Sequence, residues 1–254
     1  MDQTPESAQF FLTAPSPCPY LEGRQERKLF THLSGRRAGP LHQLLSDHGF
    51  RRSQNLIYRP ACLDCDACQS IRVVAAEFKP SDRYRRVLQR NADVCAEPAP
   101  PIATSEQYSL FRRYLDARHA DGGMTQMSYL DYEFMVEDTP VQSQLVEYRL
   151  TEDGPDGDAG QLVAAVLTDV LPDGLSMVYS FYDPALPKRG LGNYMILDHI
   201  ARVGADRGYL YLGYWVQNSP KMAYKASFQP LEVQRGARGW IAFDPETGPG
   251  SDRA

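Results

Sequence analysis

The stretch Lys188-Arg189-Gly190-Leu191-Gly192-Asn193-Tyr194-Met195-Ile196-Leu197-Asp198-His199-Ile200-Ala201-Arg202-Val203 decides how the rest of the chain is read. Two glycines one residue apart mark a turn. Beyond them Met195, Ile196, Ile200 and Val203 fall on one side of a helix expected from Asn193 to about Arg207, with Gly208 as its stop. A Gly-x-Gly turn that opens a long helix brings free backbone amides and the positive end of the helix dipole together, which suits an anion. Alone it is weak evidence, because most such turns are only turns. The elements around it supply the weight.

Upstream, residues 145–150, 162–170 and 175–182 alternate like strands, joined by a Gly/Asp-rich turn at 153–160 and a Pro-Asp-Gly turn at 172–174. That is an antiparallel meander. Downstream come a strand at 209–216, a short helix at 218–226, a last strand at 228–233 and a polar, Gly-rich tail. This order resembles the GNAT class of N-acyltransferases, in which the turn amides and helix end hold a pyrophosphate. Residues 188–192 match the second half of the class signature, and Ala223, Tyr224 and Phe228 fall in its following helix-strand element. The fold expected is α/β (α+β), a GNAT-like mixed sheet with a small cysteine-bearing N-terminal subdomain.

The first half reads differently. Residues 18–78 are rich in Arg, His, Gly and Pro, with a helical stretch at 43–48, a cap at Gly49 and a strand opening Phe50-Arg51-Arg52. Ser70-Ile71-Arg72-Val73-Val74 is a strand placed directly after Cys62-Leu63-Asp64-Cys65-Asp66-Ala67-Cys68. Residues 79–90 form a basic helix, and 96–101, with three prolines, read as a linker. Amphipathic helices are expected at 105–118 and 129–136. The domain reading is a flexible lead at 1–17, a subdomain at 18–95, an acyltransferase-like domain at 104–235 and a tail at 236–254.

A chain of 254 residues with 43% hydrophobic and 23% charged residues can bury a sizeable core, which excludes wholesale disorder. Residues 1–9 lack the basic and apolar regions of a secretory signal, and no apolar run reaches the length of a membrane span. A cytoplasmic location without membrane association is expected. Five cysteines in such a chain do not suggest a disulfide framework. The C-x-x-C-x-x-C run with Cys18 has the chemistry of a soft-metal site, zinc or an iron-sulfur cluster on Cys18, Cys62, Cys65 and Cys68. Four reduced thiols in a packed subdomain are the alternative. Cys95 reads as an ordinary buried thiol, and the histidines at 32, 42, 48 and 199 show no ligand spacing.

Several separated motifs go further: Cys18-Pro19-Tyr20-Leu21, Arg24-Gln25-Glu26-Arg27, Gly49-Phe50-Arg51-Arg52-Ser53, Tyr58-Arg59-Pro60, Ala117-Arg118-His119 with Gly123-Met124, and Tyr211-Leu212-Gly213-Tyr214. With the cysteine run and the basic helix, they resemble the bacterial aspartate/glutamate leucyltransferases, relatives of the arginyl-tRNA protein transferases, over residues 18–233. The resemblance implies transfer of leucine from aminoacyl-tRNA onto proteins beginning with Asp or Glu, a step of the N-degron pathway. It implies aminoacyl-tRNA and such proteins as partners, and no ATP or nucleotide cofactor besides the tRNA donor. Arginyl transfer, acyl-CoA N-acyl transfer and a non-catalytic metal- or redox-sensing RNA-binding protein are the alternatives.

Turning an activated ester into an amide is downhill, and an N-terminal amine titrates at about 7.7 to 8.0, so positioning and oxyanion stabilisation are the main needs. Tyr179, Tyr211 and Tyr214, on the strands that the class places at its cleft, are candidates to stack on adenine or donate a proton. Packing is their ordinary use. Asn218 is a candidate for the acceptor backbone, or a helix cap. An acidic acceptor side chain calls for a cation, and Arg72, Arg118 and His119 lie in matching motifs. Lys79, Arg83, Arg85, Arg86 and Arg90 are candidates for tRNA phosphates, as are Lys188 and Arg189 beside Gly190 and Gly192.

Overall fold

The computed structural model describes residues 8–118, 123–204 and 208–244. His119 and Arg207 lie outside them, as do the outer parts of the lead and tail. The first part of the chain supplies β1 (Phe11–Leu12), β2 (Ser16–Pro17), β3 (Gln25–Glu26), β4 (Lys28–His32), α1 (Ala38–Asp47), β5 (Arg51–Ser53) and β6 (Leu56–Pro60). It continues with β7 (Cys68–Val74), α2 (Asp82–Arg90), β8 (Val94–Ala99), α3 (Ser105–Arg118) and α4 (Tyr129–Glu137). The second part adds β9 (Ser143–Leu150), β10 (Leu162–Leu171), β11 (Gly174–Tyr182), α5 (Leu191–Val203), β12 (Tyr209–Val216), β13 (Leu231–Gln234) and β14 (Trp240–Ala242).

Eight strands form one mixed sheet in the order β14-β13-β7-β12-β11-β10-β9-β8. The expected meander β9-β10-β11 is there, antiparallel throughout, and only β11 and β12 run parallel. Alternation along β9 shows why both faces are covered: Val146 and Tyr148 join the core under α2 and α5, while Leu145 joins that under α3 and α4. A separate sheet, β1-β4-β6-β5, packs with α1 over a small core of Leu33, Ala38, Leu45, Phe50 and Ile57.

Five expectations need correcting. Residues 96–101 are no linker: β8 pairs antiparallel with β9, and Pro98 is tolerated because β8 is an edge strand whose outer side needs no donor. Residues 11–17 are not a loose lead, since β1 pairs with β4 and β2 with β3. The tail likewise contributes β14, paired with β13. Helix α5 stops at Val203 because Gly204 takes φ 68°, and Cys95 is exposed rather than buried.

One buried ion pair joins the small sheet to the large one. Arg52 on β5 donates from Nε and Nη2 to the two carboxylate oxygens of Asp169 on β10, each at 2.6 Å. Ser143 donates to the same carboxylate at 2.7 Å, and His42 Nε2 stands 3.4 Å away. Burial holds the His42 imidazole below its ordinary range against the opposing pull of Asp169, so it stays neutral. Removing one charge of a sealed pair strands the other. Asp169→Asn is expected to lower the unfolding free energy by about 3 kcal/mol, read as a shift of the urea midpoint.

Candidate active site

Strands β11 and β12 pair only from Gly174–Ser176 to Tyr209–Tyr211 and then part. Both carry a bulge where they separate. The β10–β11 register skips Val178 and the β12–β7 register skips Leu212, and each extra residue bends its strand away from the other. Strands that part leave inner-edge carbonyls without a ladder, and buried carbonyls need donors. Two side chains supply them. Arg51 Nη2 donates to the carbonyls of Met177 (3.2 Å) and Val178 (2.9 Å), and Lys225 Nζ donates to those of Leu212 and Tyr214, both at 2.8 Å.

Gly213 makes room for this arrangement. It sits at φ 73°, and a Cβ there would collide with the Arg51 guanidinium. Lys225 is 6% exposed. Burial, reinforced by the Arg51 charge, pushes its ammonium down to about 7.

Tyrosines line the split. Tyr114 of α3 meets Tyr182 edge-on with centroids 5.0 Å apart, and Tyr179 meets Phe111 at 5.8 Å. Arg118 donates to the Tyr182 hydroxyl from Nη2 (2.6 Å) and Nε (3.2 Å). The Tyr182 ring lies against Gly192 in the first turn of α5, 3.4 Å from where a Cβ would stand. There Gly190 takes the left-handed conformation at φ 67°, and its carbonyl accepts from the amides of Asn193 and Tyr194. The amides of Leu191 and Gly192 have no such backbone acceptor among the described residues and are available to an anion. Tyr224 joins this group, within electrostatic reach of Arg51 and Tyr182. Burial pushes the Tyr179 phenol up to about 12, so at neutral pH it keeps its proton and acts as a donor.

The other tyrosine candidates are engaged elsewhere. The Tyr211 hydroxyl donates to Asp173 at 2.7 Å and accepts from Arg72 Nη1 at 3.0 Å; burial and Asp173 both raise its pKa. Arg72 is buried, clamped between the rings of Tyr209 and Trp240 and paired with Glu232 at 2.7 Å. Tyr214 donates to the carbonyls of Gly49 and Tyr58. Asn218 holds an exposed left-handed turn at φ 65° after β12.

On the face of the sheet that α2 shares with α5, Arg83, Arg86 and Arg90 of α2 line an open cleft of about 470 Å³ with Gln89. Lys79 and Lys188 are exposed nearby in sequence to α2 and α5, and Arg90 Nη1 ties the two regions by donating to the Lys188 carbonyl at 2.8 Å. Arg85 instead pairs with Asp82 on its own helix. Arg189 is buried and holds Asp93 and Asp156, each at 2.7 Å, so its charge faces inward.

Cys18, Cys62, Cys65 and Cys68 line a separate cavity of about 600 Å³ with Tyr58, Tyr214 and Arg235. Burial pushes the Cys68 thiol up to about 12, with added contributions from Cys18, Cys62 and Cys65. Among the described residues, no three His, Cys, Asp or Glu side chains are gathered closely enough to hold an ion. The sequence therefore brings the four thiols to one cavity but not into ligand geometry.

Residues 16–86 match the family profile "Arginine-tRNA-protein transferase, N terminus", and residues 106–235 match "Arginine-tRNA-protein transferase, C terminus". The chain belongs to this family. Among its relatives, the aspartate/glutamate leucyltransferase of Afipia carboxidovorans is 59% identical over 238 residues, covering 93% of each chain. That of Rhodopseudomonas palustris strain TIE-1 is 56% identical over 94% of this chain and 93% of its own. The crystal structure of FemX superposes with a TM-score of 0.50 at 8% identity, covering 87% of this chain and 72% of FemX, a likeness of fold alone. The GNAT-like architecture expected from the order of elements is the architecture found. Membership in a transferase family makes the chain an enzyme that transfers aminoacyl groups. No helix among the described residues is long and apolar enough to cross a membrane.

Arg51, Lys225, Tyr114 and Tyr182 escaped the reading of the sequence. A single lysine in a short helix has no periodic signal, and Arg51 is adjacent to a structural arginine of the same type. Only the close approach of Gly213 reveals the constraint. Gly213→Ala is expected to cost about 2 kcal/mol in unfolding free energy, and the cost should shrink when Arg51→Ala is added; a double-mutant cycle by urea unfolding measures the coupling.

Proposed function

We propose that this enzyme moves leucine from leucyl-tRNA to the N-terminal amine of proteins that begin with Asp or Glu, marking them for degradation by the N-degron pathway. The observation that carries the reading is the split between β11 and β12, a cleft with protonated phenols on its walls and cations at its base. The names of the relatives supply the donor and acceptor classes. Charged tRNA places the activity in the cytoplasm.

The donor ester carries its own driving force, so the protein has to align amine and carbonyl and stabilise the oxyanion that forms between them. Of Tyr179, Tyr211 and Tyr214, Tyr179 alone has no hydrogen-bond partner for its hydroxyl among the described residues, and it serves as a neutral donor to that oxyanion. The first-turn amides of α5, with Arg118 beside them, take a phosphate near the tRNA terminus. The exposed Arg83, Arg86 and Arg90, with Lys79 and Lys188, follow the phosphate backbone.

Cys18, Cys62, Cys65 and Cys68 are assigned to a soft metal centre, zinc or an iron-sulfur cluster, that clips the amino-terminal loops together. Support comes from the shared cavity and from the nearness of Cys18, Cys62 and Cys65 to Cys68, which each reaches electrostatically, and the loops that carry them would have to draw together to give ligand geometry. Metal analysis with absorbance of anaerobically purified protein should find one equivalent of zinc or a visible charge-transfer band. Metal-free protein of full activity removes the assignment.

The functional test is an assay with leucyl-tRNA and arginyl-tRNA against peptides beginning Asp, Glu, Lys and Ala. Leucine is expected on the Asp and Glu peptides only; label on none of them ends the proposal. In the same assay, Arg83→Ala with Arg86→Ala should raise the KM for tRNA about tenfold and flatten its salt dependence, with kcat nearly unchanged.

A further inference from the structure

Arg51 has half of its guanidinium unused. Nη2 is fixed by the carbonyls of Met177 and Val178, whereas Nε and Nη1 have no acceptor among the described residues and are not sealed from solvent. No carboxylate there forms an ion pair with Arg51 or with Lys225. The neighbouring arginines differ: Arg52 holds Asp169, Arg72 holds Glu232, Arg113 holds Asp183 and Arg189 holds Asp93. A guanidinium without a counter-ion at the base of a cleft, close enough to Lys225 to weaken that lysine's charge, is unfavourable until a ligand brings negative charge. The ring of Tyr214, 6.0 Å from the guanidinium carbon, and the flat surface of Gly213 hold the fork in one orientation.

We propose that Arg51, fixed over Gly213 where β11 and β12 part, receives the side-chain carboxylate of the acceptor's first residue and so selects Asp and Glu. The inference rests on the leucyl-transfer reading and names its specificity residue. The free Nε–H and Nη1–H point in different directions, so a carboxylate is met by a single charge-assisted hydrogen bond from one of them together with the unopposed charge of the guanidinium. A phosphodiester of the donor is the competing anion. The first turn of α5 is the better place for it, because Tyr182, which touches that turn, is four residues along β11 from Val178, about 13 Å away on an extended strand. Donor phosphate and acceptor carboxylate thus have separate cationic seats, with the phenol-lined walls between them.

The test measures leucyl transfer by the full-length protein to paired peptides that differ only in beginning Glu or Gln, and Asp or Asn. Wild type is expected to prefer the acids. Arg51→Gln should lower the Glu-over-Gln and Asp-over-Asn ratios of kcat/KM about 100-fold, beyond the smaller loss on all four peptides that follows from freeing the Met177 and Val178 carbonyls. Arg51→Lys, which keeps the charge but loses the fixed N–H directions of the guanidinium, should fall between wild type and the glutamine variant, and it carries the test if the glutamine variant does not fold by thermal unfolding. An equal loss on acidic and amide peptides in a folded variant overturns the inference in favour of a purely structural Arg51. A loss confined to the KM for leucyl-tRNA overturns it in favour of a phosphodiester. Failure of wild type to label any acidic peptide is a different result and overturns the leucyl-transfer reading itself.

Discussion

Carbonyl groups left without a ladder at the parting of β11 and β12 are the constraint on which this molecule is organised. A cleft in the middle of a sheet exposes main-chain acceptors that water cannot fully reach, and each must find a donor or cost free energy. Arg51 reaches in from the amino-terminal part and Lys225 from the turn after β12, and each bridges two carbonyls on one strand. The cleft therefore opens only when both halves of the chain are in place. This gives the amino-terminal part a role in the site itself as well as in packing, and it explains why the small sheet is anchored to β10 by so tight a pair as Arg52 with Asp169.

The positions of the charges follow from the same constraint. Side chains that hold the sheet together face inward and are fully paired: Arg72 with Glu232 beneath Trp240, Arg189 with Asp93 and Asp156, Tyr211 with Asp173. Charges on α2 point outward into a shallow cleft, where phosphates can displace water at little cost. Between these two classes lie Arg51 and Lys225, with no acid paired to either among the described residues. A net acidic chain thus keeps a positive cleft floor, with Asp169, Asp183 and Glu232 turned to Arg52, Arg113 and Arg72.

The cysteines occupy a different place. Their cavity borders Tyr58 on β6 and Tyr214 on β12, and the Tyr214 carbonyl is one of the two that Lys225 holds. The arrangement connects the order of the amino-terminal loops to the shape of the split through one strand.

Much of the fold was legible from residue order alone. Period-two alternation in β9, β10, β11 and β12 marked strands to within a residue or two, and the Gly-Leu-Gly turn marked the start of α5, because both are local consequences of backbone geometry. Prolines near Pro98 read as a linker because a proline says only that a donor is missing; whether that donor was needed depends on there being no strand outside β8. The family and the transferase chemistry were legible from separated motifs, since those record shared ancestry. Which arginine of Arg51-Arg52 is structural and which is available, and which tyrosine keeps a free hydroxyl, the tertiary structure alone decided. Those roles depend on partners well apart in the chain, Asp169 at 117 residues from Arg52, Val178 at 127 from Arg51 and Asp173 at 38 from Tyr211, and such pairing exists only after the sheet has closed.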